Sequence, residues 1–357
     1  MNGNELRIAL ADCIKAFGGG KNNPQFFGVK FGGIESVAHF EHKYNPDVRL
    51  DVTLNSDDGH DSELDGRFIE RDEVLNFVNN GRVDLEARKD ANVHLPEYRR
   101  NDYPLRWKFS KADVNFVKSY AGAVRANSGS NRKFVCCATL HNYEGKIYLL
   151  LCEGHFLVAR YLCEIDEMPC KLWGLTIPVE FFEFLAKIKT KTKEYTVEFN
   201  FNEYAGKFDS YVSCHSDDYT VTAILDLTVT MPKFASDIMS QKKIRYNYMP
   251  VGETIEFLKS VHLTGRLGEK DTIKITSCEA GVSFIGSLER KDYSTGCDYC
   301  DNVIRGVNRK MLLDGLTTMK NAGIDRFNYS TTVGSNLLRF YDDDEKVVVV
   351  IAMVVLE

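Results

Sequence analysis

Val307-Asn308-Arg309-Lys310-Met311-Leu312-Leu313-Asp314-Gly315-Leu316 is the stretch whose reading decides the fold. Asn308 carries the side chain of an N-cap, able to accept from the unpaired amides of a first helical turn. Leu312, Leu316 and Met319 follow at helical spacing and line one buried face, and Gly323 supplies a stop. An apolar residue, Val307, stands just ahead of the helix. The same arrangement occurs twice earlier in the chain. Ile69 precedes a short helix following Asp72, with Val74, Leu75 and Val78 on one face and Gly81 at its end. Ile177 precedes a helix in which Pro178 suits the first position and Phe181, Leu185 and Ile188 form the apolar face. The intervals between these apolar residues, 108 and 130 residues, each suit one small domain. The chain therefore reads as three similar domains, 1–103, 104–243 and 244–357.

Each domain opens with a helix of its own. Leu6, Leu10, Ile14 and Phe17 share a face before Gly18 to Gly20 end the first. Ser110 and Asp113 have the spacing of a capping box ahead of Val114, Val117, Ala121 and Val124. A third begins near Gly252, with Ile255 and Leu258 inward. Strands fill the rest. They are expected around Val83, Leu85 and Ala87, from Phe134 to Leu140 and Lys146 to Cys152 about a Tyr143-Glu144-Gly145 turn, at Ile273 and Ile275, at Phe327, from Leu337 to Phe340, and from Val347 to Leu356. The fold class is α+β, with two helices packed on antiparallel sheets in each domain.

Composition narrows the function classes. Hydrophobic content of 44% and charged content of 27% are those of an ordered globular chain. The start, MNGNELRIALADC, lacks the basic and apolar regions of a signal peptide, so a cytoplasmic protein is expected. The longest apolar run, Val347 to Leu356, falls far short of the ~20 residues that cross a bilayer. Ten cysteines in such a chain favour free thiols, and the single CxxC pair, Cys297 and Cys300, has no second pair to complete a zinc site. A net charge of -6 argues against an ordinary basic DNA-binding domain, which gains affinity by neutralising phosphates.

The final third then resembles a known family. Val307 to Leu316 is similar to the F-N-x-x-Y-L-L-D-A-L helix of the bacterial and phage beta-type DNA polymerase sliding clamps. Leu151-Cys152-Glu153-Gly154-His155-Phe156-Leu157 resembles the family's T-D-G-H-R-L segment, matching at Gly154, His155 and Leu157 and departing at Cys152, Glu153 and Phe156. Met231-Pro232-Lys233-Phe234 is similar to the F-P-D-Y turn that closes the second domain. The family's terminal M-P-x-R-L lacks its Pro and Arg here, where the chain ends Ala352-Met353-Val354-Val355-Leu356-Glu357, and the first third matches in layout only.

The resemblance implies a non-enzymatic processivity factor: a head-to-tail homodimer closed as a ring, helices inside and sheets outside, holding duplex DNA by topology. A ring needs only a weakly basic lining, which reconciles DNA binding with a negative total. The expected partners are double-stranded DNA, a DNA polymerase and an ATP-driven clamp loader, with no cofactor and no membrane, in the cytoplasm of a bacterium or of a phage-infected host. The expected DNA-facing residues are Lys118, Arg125, Arg132, Lys133, Lys187, Lys189, Lys191, Lys193, Lys259, Arg266, Arg309, Lys310 and Lys320. Any one of them is equally a solvated helix cation. Resemblance places a pocket for short apolar partner peptides at Val135, Cys136, Gly154, His155, Phe156, Leu157, Pro232, Ser335, Met353, Val354 and Leu356.

Rival readings differ in class. One is a clamp serving transcription or repair factors, and another is a clamp relative that captures replication peptides without encircling DNA. An enzyme would have to use His155, which has no nucleophile motif beside it, or a metal held by His39, His42 and the acidic run Asp57 to Asp65, which reads instead as a solvated loop. Gly18 to Asn22 is no phosphate loop, because it follows a helix and offers Asn where Ser or Thr would ligate magnesium.

Overall fold

The computed structural model describes residues 3–18, 24–32, 35–55, 67–81, 104–126, 136–153, 155–164, 174–188, 193–201, 210–229, 246–261, 271–278, 280–294, 304–331 and 336–354. The expected strand at Val83 to Ala87, the Cys297 and Cys300 pair, Asp57 to Asp65 and most of Gly18 to Asn22 lie outside these residues. The helices are α1 (Gly3–Cys13, continued by a π-turn at Ile14–Gly18), α2 (Arg71–Asn80), α3 (Lys111–Ala126), α4 (Val179–Lys187), α5 (Val251–Ser260) and α6 (Arg309–Asn321). The strands are β1 (Gln25–Gly32), β2 (Glu35–His42), β3 (Asn45–Asn55), β4 (Phe68–Glu70), β5 (Leu105–Ser110), β6 (Cys137–Tyr143), β7 (Lys146–Cys152), β8 (Phe156–Glu164), β9 (Thr176–Pro178) and β10 (Glu194–Asn200). They continue as β11 (Tyr211–His215), β12 (Tyr219–Ile224), β13 (Tyr246–Pro250), β14 (Thr272–Cys278), β15 (Gly281–Ile285), β16 (Arg290–Tyr293), β17 (Arg305–Asn308), β18 (Arg326–Thr331), β19 (Leu337–Tyr341) and β20 (Val347–Ala352).

Every described helix after α1 starts on the residue that follows a strand: α2 on β4, α3 on β5, α4 on β9, α5 on β13 and α6 on β17. The residue just before the N-cap is buried in all five, namely Ile69, Phe109, Ile177, Met249 and Val307. Five positions on, at the fourth residue of each helix, Val74, Val114, Phe182, Thr254 and Leu312 are buried too. This is the placement of a hydrophobic staple, which fixes the angle at which strand gives way to helix. Thr254 keeps its hydroxyl satisfied by donating to the Pro250 carbonyl (2.7 Å) and meeting the Tyr293 hydroxyl (2.8 Å). The repeat read at three helices thus extends to five.

The helix ends follow the sequence closely. Asn308 accepts from the Met311 amide, and Ser110 and Asp113 form the reciprocal capping box. Gly81 and Gly323 both adopt positive φ, and the amides of Gly323 and Ile324 return to the carbonyls of Lys320 and Met319, closing α6 in a Schellman motif. Two expectations are corrected. Pro178 is the N-cap of α4, one residue before the helix, because its ψ of 135° keeps it extended at the end of β9. The terminal strand stops at Ala352 instead of running to Leu356, since beyond it the amides of Met353 and Val354 bond to Asn336 and Gly306 on separate segments.

The described chain forms two compact units, Met1–Val114 with Ile177–Leu227, and Asn115–Thr176 with Thr228–Glu357. The first holds an eight-stranded sheet in the order β4-β1-β2-β3-β12-β11-β10-β5. The second holds an eight-stranded sheet, β13-β18-β19-β20-β8-β7-β6-β9, and a four-stranded one, β16-β15-β14-β17. Each large sheet contains an antiparallel seam between strands far apart in sequence: β3 with β12 in the first, β20 with β8 in the second.

Candidate nucleic-acid and peptide interfaces

Helix α3 buries Val114, Phe116, Val117, Tyr120 and Ala121, which leaves Asn115, Lys118 and Ser119 on its outward stripe. Helix α6 buries Leu312, Gly315, Leu316 and Met319 and turns Lys310, Thr317, Lys320 and Asn321 outward. Within the second unit the two stripes border one cleft of about 250 Å³, lined by Ser119, Tyr120, Lys310, Asp314, Thr317, Thr318 and Asn321. The helices are tied at its floor, where the Tyr120 hydroxyl donates to the Asp314 carbonyl (3.1 Å) and the Thr318 hydroxyl donates to the same oxygen (3.1 Å). Burial pushes the Tyr120 phenol up, so it stays a neutral donor. Burial also raises the Asp314 carboxyl above its ordinary value, with Lys310 pulling it back.

Of the expected cations, Lys310 lines this cleft, while Lys118 and Lys320 stand exposed elsewhere on α3 and α6. Lys259 is exposed on α5, also in the second unit, while Lys187 ends α4 and Lys193 stands exposed before β10 in the first. Arg309 differs from the expectation. Its Nε pairs with Asp271 (2.7 Å) and its Nη1 donates to the carbonyls of Leu258 and Val261 at the end of α5, so it caps a neighbouring helix and is not a free outward cation. Arg7 does the same at the end of α2, where it donates to the carbonyls of Val78 and Asn79. Arg132, Lys133, Lys189, Lys191, Arg266 and the side chain of Arg125 lie outside the described residues.

An apolar face is built by the second seam. Val350 of β20 stands opposite Leu157 of β8, which stands opposite Cys152 of β7, and strand alternation puts all three on one side of the sheet. They share an apolar cluster with Tyr148, Leu150, Ala159, Tyr341 and Val348, against which Tyr143, Tyr161 and Leu337 also pack. The exposed His155 accepts the Ala352 amide on its carbonyl (2.8 Å), which brings the partly buried Met353 and Val354 past the start of β8. Among the expected pocket residues, His155, Leu157, Met353 and Val354 thus converge, and Cys136 stands partly buried just before β6. Phe156 departs from the group. As the neighbour of Leu157 on a strand it faces the other way, buried with its ring 5.4 Å from Tyr120 of α3. Val135, Gly154, Pro232, Ser335 and Leu356 lie outside the described residues.

Several residues here had no signal in the sequence. Arg339 stands opposite Val350 on the same face, buried beside the Tyr341 ring (5.2 Å), with Glu345 3.5 Å away. Burial lowers its guanidinium's affinity for a proton. Leu337 and Asp314 likewise join the apolar cluster and the cleft only through pairing and packing. Among the described residues no group of three His, Cys, Asp or Glu side chains could hold a metal ion. His39 instead bonds Asp51 (2.7 Å) and His42 meets Glu183 (3.1 Å). No described helix is long and apolar enough to cross a membrane.

No protein-family model and no curated protein matches the sequence. Solved structures match it nearly end to end. The DNA polymerase III subunit beta from Pseudomonas aeruginosa superposes with a TM-score of 0.72 at 11% identity, over 99% of this chain and 98% of that one. The DNA polymerase sliding clamp from Bacillus subtilis gives 0.71 at 14% identity, over 99% and 98%. The Helicobacter pylori beta clamp gives 0.68 at 13% identity, again over 99% and 98%. Across its whole length this chain has the fold of the DNA polymerase III beta sliding clamps, in a sequence that has diverged far from theirs.

Proposed function

We propose that the protein is a DNA sliding clamp: a catalytically inert homodimer of three-domain subunits (1–103, 104–243 and 244–357) that encircles duplex DNA and tethers a DNA polymerase for processive synthesis. The observation that carries this reading is the match to beta clamps over 99% of this chain and 98% of theirs. Lys310 in the α3–α6 cleft and the exposed Lys118 and Lys320 on the same two helices support a DNA-facing role, with Lys187, Lys193 and Lys259 as further phosphate contacts. Such contacts are independent of sequence and salt-sensitive, which suits sliding. The face formed by Leu157, Val350 and Leu337, with His155, Met353 and Val354 at its end, is apolar enough to receive a short hydrophobic segment of the polymerase or of a clamp loader. The place of action is the cytoplasm of a bacterium or of an infected host.

The test is light scattering for mass, followed by retention on circular against linearised DNA. A dimer that stays on circles and runs off cut ends supports the clamp. A monomer that treats the two alike overturns it in favour of a clamp-fold protein that captures peptides without encircling DNA. Lys118→Glu, Lys310→Glu and Lys320→Glu together are expected to shorten retention on circles at least several-fold and to flatten its salt dependence.

A further inference from the structure

Strands β6 and β7 form a hairpin closed by Glu144 and Gly145, whose positive φ values of 50° and 80° make the tight two-residue turn. The register runs from Tyr143 opposite Lys146 to Ala138 opposite Leu151. One residue further along, β6 begins with Cys137 and β7 ends with Cys152. Continued by that step, the register sets the two cysteines opposite each other with side chains on the same face. Opposed residues of an antiparallel pair have Cα atoms about 4.5 or about 5.5 Å apart, and both values fall within the ~4.4–6.8 Å that a disulfide spans. Neither cysteine is in a disulfide. Cys152 is buried in the apolar cluster with Leu150, Leu157 and Val350, whereas Cys137 is partly exposed at the open end of the hairpin.

We infer that Cys137 and Cys152 form a modification site: a thiol pair that a hydroperoxide converts into a cross-strand disulfide. The accessible Cys137 reacts first. Its thiolate attacks the peroxide oxygen, the O–O bond breaks, and the departing oxygen leaves as water, or as an alcohol from an organic peroxide, leaving a sulfenic acid on Cys137. The Cys152 sulfur then attacks the Cys137 sulfur, the S–O bond breaks, and a water leaves with the Cys152 proton. Two electrons pass from the sulfurs to the peroxide. A dithiol reductant returns both thiols by exchange. The division of labour follows from burial, with a partly exposed attacking thiol and a sheltered resolving one held in place by the hairpin register.

The experiment exposes the full-length protein to hydrogen peroxide, blocks remaining thiols with an alkylating agent, and maps unreduced proteolytic peptides by mass spectrometry. The expected product is a β6 peptide linked to a β7 peptide, abolished by dithiothreitol. Because Cys136 shares the β6 peptide, the assignment rests on variants: Cys136→Ser keeps the linked product and Cys137→Ser loses it. Alkylation of both thiols after peroxide, a bond between Cys136 and Cys137, or a linked product that survives Cys137→Ser overturns the inference. All of these outcomes are read from mass and owe nothing to DNA or peptide binding.

Discussion

The two seams differ in what lies on their second face. Along β3 and β12 the pairs Val48–Ala223, Leu50–Val221 and Val52–Tyr219 share one side of the sheet, and α4 packs against both strands. The alternate pairs, Arg49–Thr222 and Asp51–Thr220, are polar. Asp51 accepts from His39 through one oxygen (2.7 Å) and from the Arg49 Nε and Nη2 through the other (3.1 and 2.9 Å), while Thr220 meets His215 (3.1 Å), which in turn meets Ser213 (2.8 Å). Along β20 and β8 almost every pair is apolar: Val348–Ala159, Val349–Val158, Val350–Leu157 and Ile351–Phe156. One side meets α3 and α6, where Phe156 touches Tyr120 and Val349 lies against Gly315, and the other forms the Leu157 cluster. A polar face of paired side chains offers an apolar peptide little, so of the two described seams the second is the better suited to the proposed docking.

The largest effect is expected from Val349→Asp, which puts an unpaired charge against α6 at a buried position and should cost on the order of 4 kcal/mol or more. Hydrogen exchange should then show β19, β20 and β8 losing protection while β3 and β12 keep theirs. Equal loss in both seams would break the comparison by showing that they unfold together. The counterpart in the first seam is Asp51→Ala, which strands Arg49 and His39, both largely buried, and is expected to cost about 2 kcal/mol. Its loss of protection should centre on β2, β3 and β12, and Asp51→Asn, which keeps an acceptor, should recover part of it.

The difference between the seams explains how much of the molecule was legible. Helices were visible because caps and stops are local: Asn308, Ser110 with Asp113, Gly81 and Gly323 act on residues within one turn. The staple positions Phe109 and Met249 are equally local, but they belong to the first helices of their domains and fall outside the repeat set by Ile69, Ile177 and Val307. Seams are not local. Nothing in Val347 to Ile351 says that its neighbour is β8, nearly two hundred positions earlier, and only that pairing joins Leu157 to Val350 and Arg339. Resemblance groups Leu157, His155 and Met353 with Phe156 as one surface, but strand alternation sends Phe156 to the helix side. Arg309 was misread for a similar reason, because a cation on a helix looks free until the carbonyls at the end of α5 are placed beside it.

A smaller effect should sharpen the account of the helix side. A Cβ at Gly315 would lie 2.7 Å from Val349 Cγ1, so Gly315→Ala sets a helix-propensity gain of about 1 kcal/mol against overpacking of about 1–3 kcal/mol. The net expectation is a modest loss of thermal stability. Adding Val349→Ala should be less harmful in the Gly315→Ala background than in the original chain. Simple additivity of the two changes in melting temperature would mean that the contact is not the cause.

The smallest effects lie at the floor of the α3–α6 cleft. Tyr120→Phe removes one donor to the Asp314 carbonyl, but Thr318 still donates to that oxygen, so the loss should sit near the lower end of the ~0.5–1.5 kcal/mol usual for a hydrogen bond. The Asp314 side chain supplies the sharper test through its pH dependence. Burial raises its carboxyl above the ordinary 3.8, so the folded state holds that proton more tightly than the unfolded chain does. Stability from this group is therefore greatest below the ordinary value and falls as pH rises through the window up to the raised one. Asp314→Asn removes the charge without touching the carbonyl that Tyr120 uses. The variant should melt slightly higher than the original at neutral pH and lose that advantage in acid, as followed by thermal denaturation across a pH series. An advantage that stays constant with pH would assign the gain to something other than the buried carboxylate, and a loss at neutral pH would mean that the attraction of Lys310 outweighs the burial.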